Sequence, residues 1–155
     1  MGQTLLSRRV GLAGICAVIG GALATSALAA PPVSQSGGYA IGGFDVVAYY
    51  VKKAAVRGKP EFSYVWHEAT WLFESAENRA KFAANPEGYA PQYGGYCVVG
   101  LSRGKQGRGD PQAWTVRNGK LYLTANQEVN QRFNADGDTY ISKADDWWKR
   151  SYSIR

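Results

Sequence analysis

The chain is poor in side chains that bind soft metals: its 155 residues include two cysteines, one histidine and one methionine. A closed tetrahedral zinc site needs four ligands, usually Cys and His. Met1 and Cys16 lie in a stretch with the pattern of an export signal, so a mature chain would keep only Cys97 and His67. This inventory excludes a multi-cysteine zinc site, a methionine-rich copper site and an intramolecular disulfide in the mature chain.

Common catalytic patterns are also missing. No phosphate-binding loop, Ser-His-Asp set or carboxylate pair is recognised, and neither an internal repeat nor a coiled-coil pattern is found. The net charge of +6 comes from scattered basic residues, densest over 103–108, a glycine-rich segment. We expect that segment to be a solvated loop, and we expect no nucleic-acid partner.

The first 29 residues have the pattern of a cleaved export signal. Arg8 and Arg9 precede an uncharged apolar run over 10–24, and the small residues of 27–29 favour cleavage before Ala30. The run is shorter than the roughly 20 residues of a membrane span, and Ser7-Arg8-Arg9-Val10-Gly11-Leu12 resembles a twin-arginine signal. We therefore expect a periplasmic or secreted protein with no membrane span after cleavage, a flexible lead-in over 30–38 and one domain over 39–155.

Residue patterns predict an α+β domain of short antiparallel β-hairpins with helices packed against them. A strand or extended segment is predicted over 44–51, and strands are predicted over 61–66, 70–73, 114–116 and 120–124. Helices are predicted over 76–85, from Pro86 for one turn, over 126–133 and over 139–149. The turn Asn118-Gly119 is the strongest hairpin signal, and Ser75 and Asp138 are the predicted helix caps.

Three segments carry a family resemblance: YVWHEATWLFES over 64–75, NPE over 85–87 and YAPQYGGYC over 89–97. Together with GFDVVAY over 43–49 and DPQAW over 110–114, they resemble the YHS domain in its exported variant. The resemblance implies a domain found beside heavy-metal transporters that binds metal through cysteines. It also aligns Cys97 with a position where some exported relatives are labelled as having selenocysteine.

The chain departs from the metal-binding members of that family at two positions. Those members follow the second strand with Phe-Cys-Ser and place another cysteine in the next helical turn. Here the run is Phe73-Glu74-Ser75, and Asn78 or Arg79 stands at the second position. A transition-metal site would therefore depend on Cys97, His67 and Asp45, completed by another carboxylate or a second subunit.

Cys97 supports three interpretations: a small buried residue beside Val98 and Val99, a reactive thiol, or a ligand. His67 starts a predicted turn and is interpreted as an exposed turn residue or a ligand. Asp45 interrupts an apolar run and is interpreted as a turn-capping residue or a carboxylate ligand. Asp110 is interpreted as the cap of a turn or helix.

Three functions remain open from the sequence. The first is an exported accessory module that binds a metal or small ligand with Cys97 at the site. The second is a thiol-based redox enzyme in which Cys97 is the nucleophile. The third is a structural or partner-binding domain in which Cys97 is buried.

Overall fold

The computed structural model describes residues 31–152, so the predicted export signal, with Cys16, lies outside the described residues. The elements in chain order are β1 (Gln35–Ser36), β2 (Tyr39–Ala40), α1 (Ala48–Val51), β3 (Lys59–Trp66), β4 (Ala69–Phe73), α2 (Ala76–Ala84), α3 (Pro86–Tyr89), α4 (Val98–Leu101), β5 (Asp110–Arg117), β6 (Lys120–Thr124), α5 (Gln127–Ala135) and α6 (Gly137–Tyr152). Within the described range the strands form three two-stranded antiparallel sheets, β1-β2, β3-β4 and β5-β6. This confirms the α+β class of short hairpins with packed helices.

The structure contains a tandem repeat, so the absence of a repeat inferred from the sequence is wrong. The strands β3 and β5 have eight residues each, β4 and β6 five, and α2 and α5 nine. These pairs begin 51 positions apart, at residues 59 and 110, 69 and 120, and 76 and 127. Even the register irregularity of the hairpins falls at equivalent places, between residues 59 and 63 and between 110 and 114. We call residues 42–89 the first repeat and 94–140 the second repeat.

Local chemistry forms the same hairpin and helix start in both repeats. His67 and Glu68, like Asn118 and Gly119, all have positive φ, as a tight two-residue hairpin turn requires. The Ser75 hydroxyl accepts a hydrogen bond from the Asn78 amide at 3.2 Å and begins α2, as the sequence predicted.

In the second repeat the Asn126 side chain caps α5 in the same way, through the Val129 amide at 2.9 Å. Both hairpins also depend on a glycine before the first strand. A Cβ on Gly58 would lie 2.4 Å from the Leu72 backbone, and one on Gly109 would lie 2.4 Å from the Leu123 Cβ.

Each repeat has its own aromatic core around an equivalent phenylalanine. Phe82 of α2 is fully buried among Trp66, Trp71 and Phe73, with ring centroids 5.1–5.8 Å away. Phe133 of α5 is fully buried beside the Tyr122 ring at 5.4 Å. The long helix α6 packs against α4 and closes the core of the second repeat.

Several predicted elements differ in the structure. The segment 44–51, predicted to be a strand or extended, is a turn followed by α1, because the Asp45 side chain binds the backbone amides that begin the helix. Asp110 and Pro111 begin β5 rather than a helix, and the Asp110 side chain accepts the Gln112 amide at 2.9 Å, as the turn-cap alternative predicted. The helix α6 begins at Gly137, so Asp138 lies in its first turn instead of capping it, and Asp138 pairs with Arg117 at 2.9 Å.

The segment 33–38 belongs to the folded domain, which corrects the predicted flexible lead-in over 30–38. Val33 and Ser34 are buried, and the Ser34 amide donates to the Gly94 carbonyl at 2.8 Å. The Ile41 amide donates in turn to the Ser34 carbonyl at 2.8 Å. No helix in residues 31–152 has the length and apolar character needed to cross a membrane.

Candidate functional site

Cys97 is buried and serves as a helix cap. Its side chain is 4% exposed, and its sulfur accepts a hydrogen bond from the Gly100 amide at 3.4 Å at the start of α4. Its backbone amide donates to the Gly107 carbonyl at 2.9 Å. Gly94 and Gly95, both with positive φ, end the 3-10 turn that lies two residues before Cys97. The thiol is free, Cys97 belongs to an apolar cluster with Val98 and Tyr122, and its backbone bridges to Leu123 of β6.

Asp45 is fully buried, and its carboxylate is fully engaged by hydrogen-bond donors. One oxygen accepts from the Val47 amide at 2.8 Å and the Ala48 amide at 3.3 Å. The other accepts from the Glu74 amide at 2.9 Å and the Asn78 side-chain amide at 2.8 Å. Four donors compensate the burial of the charge. Asp45 therefore joins α1 to the junction between β4 and α2.

Asp45 and Cys97 occupy equivalent positions in the two repeats. Each follows a Gly-Gly pair and an aromatic residue, and each side chain accepts an amide at the start of a one-turn helix. Each backbone amide also binds a loop carbonyl, that of Val56 for Asp45 at 2.8 Å and that of Gly107 for Cys97 at 2.9 Å. The partner of the carboxylate, Asn78, corresponds to Val129 in the second repeat. A polar Asp-Asn pair in one repeat thus stands where the other has an apolar Cys-Val pair.

His67 lies on the turn between β3 and β4, exposed as the sequence predicted. Its ring stacks on Trp66 with centroids 3.7 Å apart and an interplanar angle of 15°. It borders a small aromatic cavity of about 140 Å³ that Trp71 and Trp148 also line.

The structure does not bring Cys97, His67 and Asp45 together. Among residues 31–152, no group of three or more Cys, His, Asp or Glu side chains is arranged to hold a metal ion. The Cys97 sulfur and the Asp45 oxygens are occupied by amide donors, which a bound cation would have to displace. The metal site that the family resemblance implies does not fit these residues.

A cleft of about 500 Å³ lies where the two repeats meet the β1-β2 hairpin. Its lining includes Phe44 and Arg57 of the first repeat, and Arg108, Asp110 and Gln112 of the second. The hairpin adds three hydroxyl-bearing side chains: Ser34, Ser36 and Tyr39. The lining therefore combines two guanidinium groups, one carboxylate and several neutral polar groups.

The two arginines are also equivalent residues of the repeats. Arg57 pairs with Phe44 across an isolated antiparallel bridge, and Arg108 pairs with Tyr96 in the same way. Each arginine directly follows the loop carbonyl, of Val56 or Gly107, that the Asp45 or Cys97 amide binds. The predicted site residues Asp45 and Cys97 thus do not line the cleft, but their backbone amides bind the segments that carry Arg57 and Arg108.

Neighbouring contacts fix the cleft walls further. The Arg57 guanidinium carbon lies 4.5 Å from the centre of the Phe44 ring, and its Nη1 donates to the Gly42 carbonyl at 2.9 Å. The Tyr49 hydroxyl donates to the Pro111 carbonyl at 2.7 Å. Burial, and then the charges of Asp110 and Asp45, raise the pKa of Tyr49 far above its usual value, so this donor stays protonated.

Sequence reasoning missed Arg57 altogether and placed Arg108 in a solvated loop. A signal was present: Arg57-Gly58-Lys59-Pro60 and Arg108-Gly109-Asp110-Pro111 share an Arg-Gly-x-Pro pattern. Once the repeat is recognised, that pattern places both arginines at the same point of two equivalent hairpins.

No family model, curated protein or solved structure matches the chain.

Proposed function

We propose that the protein is an exported, YHS-type accessory module that binds a small polar ligand in the cleft between its two repeats. The observation that carries the proposal is the convergence of equivalent arginines, Arg57 and Arg108, on one cleft of about 500 Å³. Small-molecule sites are typically concave and are formed where two structural units meet. The family resemblance and the export pattern supply the YHS-type and exported parts of the proposal.

The contacts of Cys97 favour a binding module over a thiol-based enzyme. A catalytic thiol must reach its substrate as a thiolate, usually beside a cation or a helix N-terminus and partly exposed. The Cys97 sulfur is buried, accepts the Gly100 amide and lines none of the described cavities. In this proposal Cys97 is a structural residue that positions the segment carrying Arg108.

Filling the cleft with a bulky side chain tests the proposal. Ser36→Trp places an indole at the cleft, while Ser142→Trp places one on an exposed position of α6 that lines no described cavity. The thermal unfolding midpoint of each variant is measured with and without a low-molecular-mass extract of the periplasm. We expect the extract to raise the midpoint of the wild type and of Ser142→Trp but not of Ser36→Trp.

Two results would contradict the proposal. An equal shift in both tryptophan variants would mean that the ligand binds elsewhere, and the absence of a shift in the wild type would mean that no such ligand binds. Loss of a measurable redox activity in Cys97→Ala, with Ser36→Trp fully active, would support the thiol enzyme instead.

A further inference from the structure

We infer that the ligand of this cleft is a small anion with carboxylate or phosphate groups, held between Arg57 and Arg108. The inference rests on the proposed function and specifies its ligand class. Arg presents a planar fork of N–H donors that matches the oxygens of both groups. Two such forks in the lining of one cleft favour a ligand with two oxyanion groups or one phosphate that contacts both.

The charge of the cleft favours an anion. Arg57 and Arg108 together outweigh Asp110, which is the one acidic residue in the lining. One Asp110 oxygen already accepts the Gln112 amide at 2.9 Å, so part of its hydrogen-bonding capacity is directed into the chain. The hydroxyls of Ser34, Ser36 and Tyr39 add neutral donors that an anionic oxygen can use.

Arg57 is pre-organised for this role, and Arg108 is available for it. The Phe44 ring and the Gly42 carbonyl fix the plane of the Arg57 guanidinium, yet leave most of its N–H donors free. Arg108 joins none of the ion pairs found among residues 31–152, although its backbone is fixed by the bridge to Tyr96. A ligand that is clamped between them therefore needs few new constraints on the protein.

Isothermal titration of the purified protein at low ionic strength tests the inference, with inorganic phosphate and succinate as probes and the neutral polyol xylitol as the uncharged comparison. We expect phosphate or succinate to bind, and the one that binds more tightly identifies the anion class. Arg57→Ala and Arg108→Ala should each raise its Kd about tenfold, the scale of one lost charge-assisted contact. Arg79→Ala, an exposed arginine of α2 outside the cleft, should leave the Kd unchanged.

A variant that lowers the Kd of the anion gives a second check, because a folding defect would raise the Kd instead. Asp110→Asn keeps an oxygen for the Gln112 amide but removes the negative charge, so the Kd of the anion should fall severalfold. Arg57→Lys keeps the charge without the fork and should give an intermediate Kd.

Binding that weakens equally in Arg79→Ala, or that is absent for both anions, would overturn the inference. Xylitol binding that is blocked by Ser36→Trp and unaffected by the arginine variants would overturn it while leaving the proposed function in place.

Discussion

The equivalence of Asp45 and Cys97 predicts that the two kinds of cap can be exchanged only together with their partners. Asp45→Cys copies the cap of the second repeat into the first. A sulfur at this position can accept the Ala48 amide, as Cys97 accepts the Gly100 amide. It leaves the Glu74 amide and the Asn78 side chain without their present acceptor.

The expected cost follows from the contacts that are lost. Hydrogen bonds to a charged acceptor contribute roughly 1.5–3 kcal/mol each to stability. Because the desolvation cost of the buried carboxylate offsets part of that gain, Asp45→Cys should lower the free energy of unfolding by about 3 kcal/mol in total. Asn78→Val removes one donor from a buried carboxylate and should cost about 2 kcal/mol. The double variant recreates the Cys97-Val129 pair of the second repeat and removes both the orphan Asn78 side chain and the buried charge, so that of these two donors only the Glu74 amide still lacks its acceptor.

We therefore expect the double variant to be more stable than the sum of the single effects implies, by about 1–3 kcal/mol, the usual range for contacting polar pairs. Urea unfolding followed by tryptophan fluorescence measures all four proteins, with a reductant present because two variants carry an added thiol. The m-values should agree, so that the midpoints report stability. Additive effects within about 0.5 kcal/mol would refute the claim that Asp45 and Asn78 act as one unit.

Further predictions concern Cys97 and the buried tyrosines. Native Cys97 should resist a thiol reagent until denaturant is added, since its sulfur is 4% exposed; stoichiometric labelling of the folded protein would contradict the burial. Cys97→Asp should cost about 3 kcal/mol or more because it buries a charge without a partner, and adding Val129→Asn should recover part of that loss. Tyr49→Phe should destabilise by about 1 kcal/mol, because it removes the bond to Pro111, whereas Tyr50→Phe should cost less, because no partner among residues 31–152 has good hydrogen-bond geometry to the buried Tyr50 hydroxyl. Burial raises the pKa of Tyr50 to about 12 from 10.0, so the native state holds more protons than the unfolded chain above pH 10. Its contribution to stability should be fully present below pH 10 and lost as the pH rises toward 12, which tyrosinate absorbance and urea unfolding at stepped pH would test.

Elements fixed by local chemistry could be predicted from the sequence. The Asn118-Gly119 turn needs positive φ at both residues, and Asn and Gly are the residues that adopt it most readily. The Ser75 hydroxyl reaches an amide three residues away, so the start of α2 is also visible locally.

The role of Asp45 could not be predicted in the same way. Two of its four donors, at Glu74 and Asn78, lie 29 and 33 residues away along the chain. Without them the run over 44–51 has the composition of a strand, and the carboxylate has no visible reason to be buried. The site depends on the same long-range information, since Arg57 and Arg108 line one cleft only in the folded chain, 51 residues apart in sequence.

The repeat was hidden because the two copies preserve geometry more strictly than residue type. Gly58 and Gly109 are both glycine, because a Cβ at either position would collide with an equivalent leucine of the neighbouring strand. Phe82 and Phe133 are both phenylalanine, because each fills the centre of a core. At the helix cap, however, a carboxylate and a thiol accept equivalent backbone amides, of Ala48 and Gly100. The residue at the partner position then differs as well, Asn78 in the first repeat and Val129 in the second. The lone thiol in the second repeat therefore meets the same physical requirement as the buried carboxylate in the first. Each side chain accepts a hydrogen bond from an amide at the start of a short helix, and each backbone amide binds the loop that carries a cleft arginine. Replacing Cys97 by Ser, which can also cap a helix, should therefore weaken anion binding far less than Arg108→Ala does.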